Sequence, residues 1–257
     1  MLPRIIPCLQ LEGASLVKTV KFKKPTYIGD PINAVRIFNE KEVDELVLID
    51  IRASKRGTEI QYELIEHIAS ECFMPLAYGG GIKTIDDVQR IINLGVEKVI
   101  INTAGLDGGN LFKQATEKLG SQSVIASLDV KKNLFGQYSV YTKSGSKKVN
   151  RTIEDVVKYI IDSGVGEIVV NSINHDGMMQ GYDLEITNRV ASQINIPVMA
   201  CGGAGKLDDI VRVVKEAGVS SAAAGSLFIY QGKHKAVLIN YPKYERIKEL
   251  FSYNKGA

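Results

Sequence analysis

Two short segments of the chain each end an apolar run with a polar side chain at the same place. The run IIPCLQL (residues 5–11) carries the amide of Gln10, and the run VIASLDV (residues 124–130) carries the carboxylate of Asp129. A carboxylate can take up and release a proton, whereas an amide can only donate or accept hydrogen bonds. The match predicts two copies of one position in a proton-transfer site. In the alternative interpretation, Asp129 is a loop carboxylate that only positions Lys131.

Glycine-rich turns offer a second kind of chemistry. Gly79-Gly80-Gly81 and Gly202-Gly203-Ala204-Gly205 each follow an apolar run and lead into a segment of helical period. Glycine lets backbone N–H groups approach a ligand closely, and a helix N-terminus favours an anion. After the next apolar runs, Asn102-Thr103-Ala104 and Ala224-Gly225-Ser226 present amide or hydroxyl groups to the same anion. Two matched cradles predict a ligand with phosphate at both ends; the alternative is that these glycines only make tight turns.

A regular scaffold must position these side chains, and the chain alternates short β-branched runs with longer segments of helical period. The predicted strands are Ile5–Leu9, Leu46–Asp50, Leu76–Tyr78, Lys98–Ile101, Ser123–Leu128, Glu167–Asn171, Val198–Ala200 and Ser220–Ala224. Between most of them apolar residues recur at i, i+3, i+4 and i+7, which is typical of helices packed on one face. One such helix carries Ile85, Val88 and Ile91 on its apolar face. It begins at Thr84, with Asp87 completing a capping box.

The two halves of the chain repeat each other. Pro75–Gly81 matches Pro197–Gly203 at an offset of 122 residues. Alternating strands and helices predict a parallel sheet, and eight units in about 250 residues is the size of a (β/α)8 TIM barrel. An open doubly wound sheet is the competing fold, but it gives no reason for the first and fifth strands to be equivalent. We therefore predict an α/β fold, one barrel domain over residues 1–257, with homologous half-barrels of about residues 1–120 and 121–240.

Bulk composition narrows the function classes. The net charge is +3 and the pI is near 8.6, without the broad basic stripe and recognisable module of a nucleic-acid-binding protein. No apolar run reaches the roughly 18 residues of a membrane span, and no secretory signal is evident, so we expect a cytoplasmic protein. Cys8, Cys72 and Cys201 are widely spaced in the sequence, which favours neither a disulfide framework nor a zinc site. We predict no metal and no cofactor.

Three smaller features complete the inventory of polar residues. The densest basic run, Lys18–Lys24 (KTVKFKK), lies in a predicted loop and either faces solvent or contacts an anionic small molecule. Asp50 and Ser172 follow the second and sixth predicted strands and are repeat-equivalent, which favours a role in orienting loops. The histidines do not cluster in the sequence: His67, His175 and His234.

Longer segments resemble the cyclase subunit of imidazole glycerol phosphate synthase, the HisF family. The matching segments are IIPCL, DELVLID, YGGGI, VEKVIINTA, GEIVVNSINHDG, GYD and ACGGAGK, in family order over about residues 1–230. The resemblance implies a lyase of histidine biosynthesis that works with a glutaminase docked at the N-terminal ends of the strands. Ammonia would cross the barrel through a channel and attack a bisphosphate substrate, giving imidazole glycerol phosphate and aminoimidazole carboxamide ribotide.

The resemblance also assigns roles to residues. A ring of charged residues would gate the ammonia entrance, with two structural salt bridges as the alternative interpretation: Arg4, Glu45, Lys98 and Glu167. Substrate phosphates would be bound by Gly81, Asn102, Thr103, Asp176, Gly177, Gly202, Gly203, Gly225 and Ser226. One departure from the family pattern is Ala77, where a threonine usually precedes the first glycine loop.

The family's two catalytic residues are aspartates after the first and fifth strands. Asp129 matches the second of them, whereas Gln10 occupies the place of the first. General acid–base catalysis typically contributes about 10² to 10⁴-fold, so the amide should cripple the standard cyclisation. We conclude that the two opening runs are copies of one position, and that one copy has lost its titratable group.

A subgroup of the family resembles the chain more closely. VKTVKFKKPTYIGDPINAVRIFNEKEVDELVLID, ECFMPLAYGGGIKT and GKHKAVLINYP are similar to second-copy cyclase-like proteins found beside surface-polysaccharide genes. This resemblance implies a barrel that relays ammonia from its own glutaminase to a separate sugar amidotransferase, making acetamidino sugars for lipopolysaccharide biosynthesis. Three hypotheses are therefore open: a cyclase, an ammonia relay, and an unrelated phosphate-binding barrel enzyme such as an isomerase.

Overall fold

A computed structural model gives the fold, and it describes residues 2–53 and 57–252 of the 257-residue chain. The strands are β1 (Arg4–Glu12), β2 (Ser15–Val20), β3 (Lys23–Gly29), β4 (Leu46–Asp50), β5 (Leu76–Gly79), β6 (Lys98–Ile101), β7 (Val124–Lys132), β8 (Tyr138–Thr142), β9 (Lys147–Lys148), β10 (Glu167–Ser172), β11 (Val198–Cys201), β12 (Ser221–Ala224), β13 (Tyr230–Gln231) and β14 (Ala236–Val237). The helices span Pro31–Glu40, Tyr62–Glu71, Ile85–Asn93, Thr103–Leu106, Leu111–Leu119, Ile153–Asp162, Leu184–Ala191, Leu207–Ala217, Ser226–Ile229 and Tyr244–Ser252. The predicted domain limits at residues 1 and 257 lie outside the described residues.

Within the described part of the chain, eight of these strands pair in parallel and close into a barrel. Their order around it is β1, β4, β5, β6, β7, β10, β11 and β12, and β12 pairs with β1 again. Helices connect successive barrel strands, as parallel pairing requires. The predicted (β/α)8 barrel is confirmed. The open-sheet alternative is wrong because the last strand pairs with the first; the limits of the two half-barrels stay a prediction.

The barrel strands are buried on both faces, which gives two cores. Outward-facing side chains such as Leu9, Leu48 and Leu128 pack against the helices in the larger core. Inward-facing side chains form a smaller core in the barrel interior: Ile6, Val47, Ala77, Ile100, Ile125, Val169, Met199 and Ala223. Such layers of side chains fill the interior of (β/α)8 barrels. Here the layer separates the N-terminal ends of the strands from the C-terminal ends.

The helices that follow β5 and β11 begin in the same way. Asp87 Oδ2 accepts a hydrogen bond from Thr84 N at 2.9 Å while Thr84 Oγ1 accepts one from Asp87 N, which confirms the predicted capping box. Asp209, the repeat-equivalent of Asp87, accepts from Gly205 N at 2.8 Å and from Lys206 N at 3.1 Å. Matching carboxylates therefore fix the ends of both glycine loops. No helix in the described part of the chain is long and apolar enough to cross a membrane.

Two β-hairpins rise from the C-terminal ends of the barrel strands. β1 continues past the barrel and pairs with β2, which pairs with β3, and β7 pairs with β8 in the same antiparallel manner. The predicted loop over Lys18–Lys24 is therefore wrong, since these residues form the end of β2, its turn and the start of β3. The cause is tertiary: Lys18 and Thr19 are only 5% and 2% exposed, against polar partners from another loop.

Candidate active site

The C-terminal ends of the barrel strands surround a cavity of about 430 Å³. Gln10 and Asp129 line it from β1 and β7, and residues of both glycine loops complete the wall. The β2–β3 hairpin also contributes to the wall, with Lys18, Thr19, Phe22, Lys23, Lys24 and Pro25. The predicted catalytic and phosphate-binding residues thus lie together at the end of the barrel where (β/α)8 enzymes hold their active sites.

Asp129 is buried at the wall of this cavity. Its Oδ1 accepts hydrogen bonds from Ser127 Oγ at 3.1 Å and from Asn171 Nδ2 at 3.4 Å. Burial raises the pKa of Asp129 to about 7, although these hydrogen bonds act to lower it. The Lys131 ammonium lies over the Tyr141 ring, so nothing in the described residues supports a role for Asp129 in positioning that lysine. A carboxyl group with a near-neutral pKa is suited to proton transfer.

Gln10 occupies the corresponding place on β1, and it is as buried as Asp129, both being 8% exposed. Its Oε1 accepts hydrogen bonds from Thr19 N at 2.9 Å and from Lys18 Nζ at 3.5 Å, and it lies 3.1 Å from Thr19 Oγ1, whose one proton is shared with Asp176. All of these donors belong to β2. The amide therefore fastens the β2–β3 hairpin to the end of β1, a contact that the carboxylate of Asp129 does not make with its own hairpin in the described structure.

Asp176, in the loop after β10, holds the same hairpin from another side. Its Oδ1 accepts from Lys18 Nζ at 2.6 Å, and its Oδ2 accepts from Thr19 Oγ1 at 2.7 Å and from Phe22 N at 3.1 Å. A Cβ on the next residue, Gly177, would lie 2.3 Å from Thr19 O, so a glycine is needed for this close approach. Sequence reasoning offered Lys18 only as part of the basic run and missed Thr19, because their partner Asp176 lies 158 and 157 residues away.

The first cradle joins the glycine loop after β5 to the polar residues after β6: Gly79, Gly80, Gly81, Asn102 and Thr103. Gly80 has a φ of +112°, and a Cβ there would lie 2.3 Å from Asp50 O, so only glycine fits. The Thr103 hydroxyl already has partners. Its oxygen accepts a hydrogen bond from Lys143 N at 3.0 Å, and it donates to Asn102 Oδ1 at 3.2 Å. This cradle is tied to the turn that follows β8.

The second cradle joins the glycine loop after β11 to the residues after β12: Gly202, Gly203, Gly225 and Ser226. Gly203 has a φ of +121°, and a Cβ there would lie 2.1 Å from Gly181 O. Lys18 Cε lies 3.2 Å from the place of a Gly225 Cβ, so the lysine side chain packs against this cradle. Ser226 Oγ is buried without a hydrogen-bond partner in the described residues. A bound anion would supply that partner and remove the free-energy cost of an unsatisfied hydroxyl.

Four charged side chains form a ring at the opposite, N-terminal ends of the strands. Arg4 reaches Glu45 and Glu167, each at 2.5 Å, and Lys98 Nζ donates to both oxygens of Glu45 at 2.9 Å. Ser221 Oγ donates to Glu167 Oε1 at 3.0 Å. Burial lowers the pKa of Arg4, but the two glutamates outweigh it and the net shift is upward. The apolar layer lies between this ring and the cavity, so the predicted gate residues come together away from the other site residues.

Two further contacts concern the cavity wall. The thiols of Cys8 and Cys201, far apart in the sequence, meet in the barrel interior, and this contact together with burial holds the pKa of Cys201 well above its ordinary value. Asp50 Oδ1 accepts from Arg52 N at 2.9 Å and from Ala53 N at 3.1 Å, so it orients the loop after β4. The described residues contain no group of three or more His, Cys, Asp or Glu side chains that could hold a metal ion.

Comparisons with known proteins identify the relatives of the chain. The family model described as Histidine biosynthesis protein matches residues 4–235. A protein of Pseudomonas aeruginosa, provisionally named imidazole glycerol phosphate synthase subunit hisF2, is 50% identical over 244 residues, covering 95% of this chain and 97% of its own length. A Vibrio vulnificus protein, provisionally named subunit hisF3, is 51% identical, covering 93% of this chain and 92% of its own. Imidazole glycerol phosphate synthase subunit HisF of Natranaerobius thermophilus is 39% identical, with coverages of 93% and 94%.

Proposed function

The chain belongs to the histidine biosynthesis protein family, and on that premise we propose that it is the synthase (cyclase-type) subunit of a glutamine amidotransferase complex. The observation that carries this proposal is a single cavity with two glycine cradles and a buried carboxyl group, at the other end of the barrel from a charged ring. The relatives named as imidazole glycerol phosphate synthase subunits align with more than nine-tenths of the chain. They favour this function over an unrelated phosphate-binding isomerase.

The substrate of this subunit carries a phosphate at each end. Each cradle offers backbone N–H groups beside glycines that tolerate no Cβ, and each ends in a hydroxyl, from Thr103 or Ser226. The helices that begin at these hydroxyls are one turn long, so local N–H groups and hydroxyls bind the phosphates rather than a long helix dipole. The nominal substrate is the bisphosphate precursor that gives imidazole glycerol phosphate and aminoimidazole carboxamide ribotide.

Ammonia reaches the cavity through the barrel from a glutaminase subunit docked over the ring of Arg4, Glu45, Lys98 and Glu167. The ring and the apolar layer lie in line with the cavity, which supports this route. Neutral ammonia can cross an apolar layer that strongly disfavours ions. The ring is closed by ion pairs, so passage requires at least one of them to open.

Asp129, on β7, is the acid–base group of the cavity. It takes a proton from the attacking ammonia or returns one to the leaving group, and its pKa of about 7 suits both directions near neutral pH. Gln10 cannot act as the second acid or base from β1. The cyclisation of the standard bisphosphate is therefore slow in this chain.

An alternative acceptor is favoured by the same residue. Gln10 lines the cavity where a second carboxylate would be needed for cyclisation. The chain is 50% and 51% identical to the relatives named hisF2 and hisF3, against 39% to the HisF subunit of Natranaerobius thermophilus. In this second candidate function, the barrel relays ammonia to a separate sugar amidotransferase that makes acetamidino sugars for surface polysaccharides.

Turnover with free ammonia and the bisphosphate substrate distinguishes the two functions. We expect wild-type turnover at least 10²-fold below an ordinary rate of about 1 per second. Gln10→Asp should raise turnover measurably, whereas the matched amide variant Gln10→Asn should not, and Asp129→Asn should abolish the gain. Ordinary wild-type turnover would establish the standard cyclase. No turnover by Gln10→Asp despite tight substrate binding would favour the relay.

The partner is tested with a class-I glutaminase. We expect a stable heterodimer in which glutamine hydrolysis delivers ammonia to the barrel. Lys98→Glu should uncouple hydrolysis from delivery because it places a third carboxylate beside Glu45 and Glu167. The proposed ammonia route would be wrong if the chain formed no complex with any glutaminase of this class and if Lys98→Glu left glutamine hydrolysis coupled to ammonia delivery.

The cradles are tested by soaking crystals in phosphate or sulfate. We expect two bound anions related by the approximate symmetry of the half-barrels, one at each glycine loop. A single anion bound away from both loops would remove the argument for a bisphosphate ligand.

A further inference from the structure

Two polar side chains anchor the end of β2 at the cavity wall, and both contact Thr19. Gln10 Oε1 on β1 accepts a hydrogen bond from the Thr19 backbone and lies near its hydroxyl. Asp176 accepts from Lys18, from the Thr19 hydroxyl and from the backbone N–H of Phe22 at the turn. The Phe22 ring also packs 3.2 Å from the place of a Gly145 Cβ in the turn after β8. The hairpin therefore lies over the cavity rather than standing away from it.

The hairpin brings one buried cation to the ligand site. Lys18 is 5% exposed, it pairs with Asp176, and its stem packs against Gly225 in the second cradle. The remaining lysines of the basic run are exposed: Lys21, Lys23 and Lys24. Two of them, Lys23 and Lys24, also line the cavity. If the hairpin moved away, the cavity would lose part of its wall and the second cradle would lose this ammonium group.

We propose that Gln10 is a positioning residue, whose amide oxygen holds the β2–β3 hairpin closed over the cavity and thereby keeps Lys18 at the second cradle. An aspartate is one methylene shorter, so it would not reach the Thr19 backbone and hydroxyl from the same place on β1. The Gln10 Nε2 group has no acceptor among the described residues, and it lines the cavity, where a ligand oxygen could accept its hydrogen bond. This role holds whichever acceptor takes the ammonia.

Limited proteolysis with trypsin measures hairpin opening. Lys21 and Lys23 are exposed in the hairpin, and Lys233 and Lys235 are exposed in the β13–β14 turn, which serves as the internal reference. Gln10→Met keeps the side-chain length but removes the acceptor, so hairpin cleavage should accelerate by about tenfold relative to the reference. Gln10→Glu keeps an acceptor of the same reach and should restore cleavage to within about twofold of wild type. An unchanged rate in Gln10→Met would overturn the proposal.

A double-mutant cycle tests whether Gln10 acts through the hairpin. Thr19→Val removes the hydroxyl that contacts both Gln10 and Asp176. In the Gln10→Met background it should accelerate cleavage less than it does in wild type, because residues in one network are not additive. Fully additive effects would mean that Gln10 stabilises the barrel without positioning the hairpin, and they would also overturn the proposal.

A fluorescence measurement gives the same answer without a protease. The chain contains no tryptophan, so Phe22→Trp places a single reporter at the hairpin turn. In this background, Gln10→Met should shift the emission toward that of a water-exposed indole and weaken binding of inorganic pyrophosphate, whereas Gln10→Glu should leave the emission unshifted. Identical emission in the Met and Glu variants would contradict a closed hairpin held by Gln10.

Discussion

Gln10 and Asp129 hold equivalent places in the two halves of the barrel, but their surroundings differ. Asp129 accepts hydrogen bonds from Ser127 and Asn171 within the barrel, and its pKa is near neutral. Gln10 turns instead to Thr19 of its own hairpin. Both side chains are equally buried. The comparison indicates that one half has kept a group able to transfer protons, while the other half uses the same position to hold structure.

The two cradles differ in a related way. Thr103 in the first cradle already bonds to Asn102 and to the backbone of Lys143. Ser226 in the second cradle is buried without a partner in the described residues, and Lys18 packs beside it. The second cradle therefore has more unused capacity to bind an anion. We therefore expect anion binding at the second cradle to depend on the Ser226 hydroxyl, and binding at the first cradle to depend mainly on backbone groups.

The charged ring shows a third asymmetry. Each half contributes one glutamate, but both cations, Arg4 and Lys98, come from the first half. Serine occupies the repeat-equivalent positions, Ser123 and Ser220. The carboxylate of Glu167 in the second half is therefore neutralised across the barrel axis, chiefly by Arg4. This pairing ties the two halves together at their N-terminal ends.

The largest expected difference between the halves concerns catalysis. Asp129→Asn should lower turnover of the bisphosphate substrate with free ammonia by about 10² to 10⁴-fold, because it removes the acid–base group of the cavity. Gln10→Asn should lower turnover by less than about tenfold, because it removes no acid–base group and loses only the contact that the longer amide makes with Thr19. Steady-state kinetics measures both. Equal losses in the two variants would show that the two positions share one role.

The pH dependence of stability should separate the same two positions. The pKa of Asp129 is about 7 in the folded protein, against about 4 in an unfolded chain. Between these values the folded state binds a proton that the unfolded state lacks, so the free energy of unfolding falls as pH rises from about 4 to about 7. Asp129→Asn removes this fall. Its stability relative to wild type should therefore improve by roughly 2 to 4 kcal/mol between pH 4 and pH 8.

Urea denaturation at a series of pH values measures this change. Gln10→Leu serves as the control, because it removes an equally buried side chain that does not titrate. Its free energy of unfolding should differ from that of wild type by the same amount at every pH at which Asp129 titrates. A pH-independent difference for Asp129→Asn would contradict the raised pKa.

Among substitutions in the charged ring, loss of Arg4, which pairs with a glutamate from each half, should destabilise the protein most. Among the described residues, Arg4→Met leaves Glu167 with Ser221 and with Lys98 at 3.9 Å. The substitution should lower the free energy of unfolding by about 2 to 3 kcal/mol. Lys98→Met should cost about 1 kcal/mol, because Glu45 keeps Arg4. Urea denaturation of the isolated barrel at pH 7 measures both. If Lys98→Met lowered the free energy of unfolding more than Arg4→Met, Lys98 rather than Arg4 would be the cation shared between the two halves.

The smallest expected difference concerns the cradles. Ser226→Ala should weaken binding of inorganic phosphate at the second cradle by about tenfold, the contribution of one hydrogen bond to a charged group. Thr103→Ala should weaken binding by less than about threefold, because its hydroxyl is already used within the protein. Isothermal titration of phosphate measures the two losses. A larger loss for Thr103→Ala would show that the first cradle releases its hydroxyl to the ligand.

The sequence by itself determined the barrel and the framework of both loops. Short β-branched runs, helical periods and the repeat at 122 residues are local or periodic signals, and they predicted the closed barrel and the capping box at Thr84. The glycines predicted tight approaches, and Gly80 and Gly203 do lie where no Cβ fits. Such features follow from backbone geometry over a few residues, so they can be read without knowing the partners of each side chain.

Tertiary structure alone decided how the polar side chains are used. Lys18 and Thr19, at the start of the basic run, are buried because Asp176, more than 150 residues away, comes beside them when the barrel closes. The same closure brings Cys8 to Cys201 and leaves Ser226 without a partner in the described residues. It also turns Gln10, which the sequence marked only as a missing acid, toward Thr19. Burial and hydrogen bonding depend on which strands become neighbours, and no local pattern encodes that.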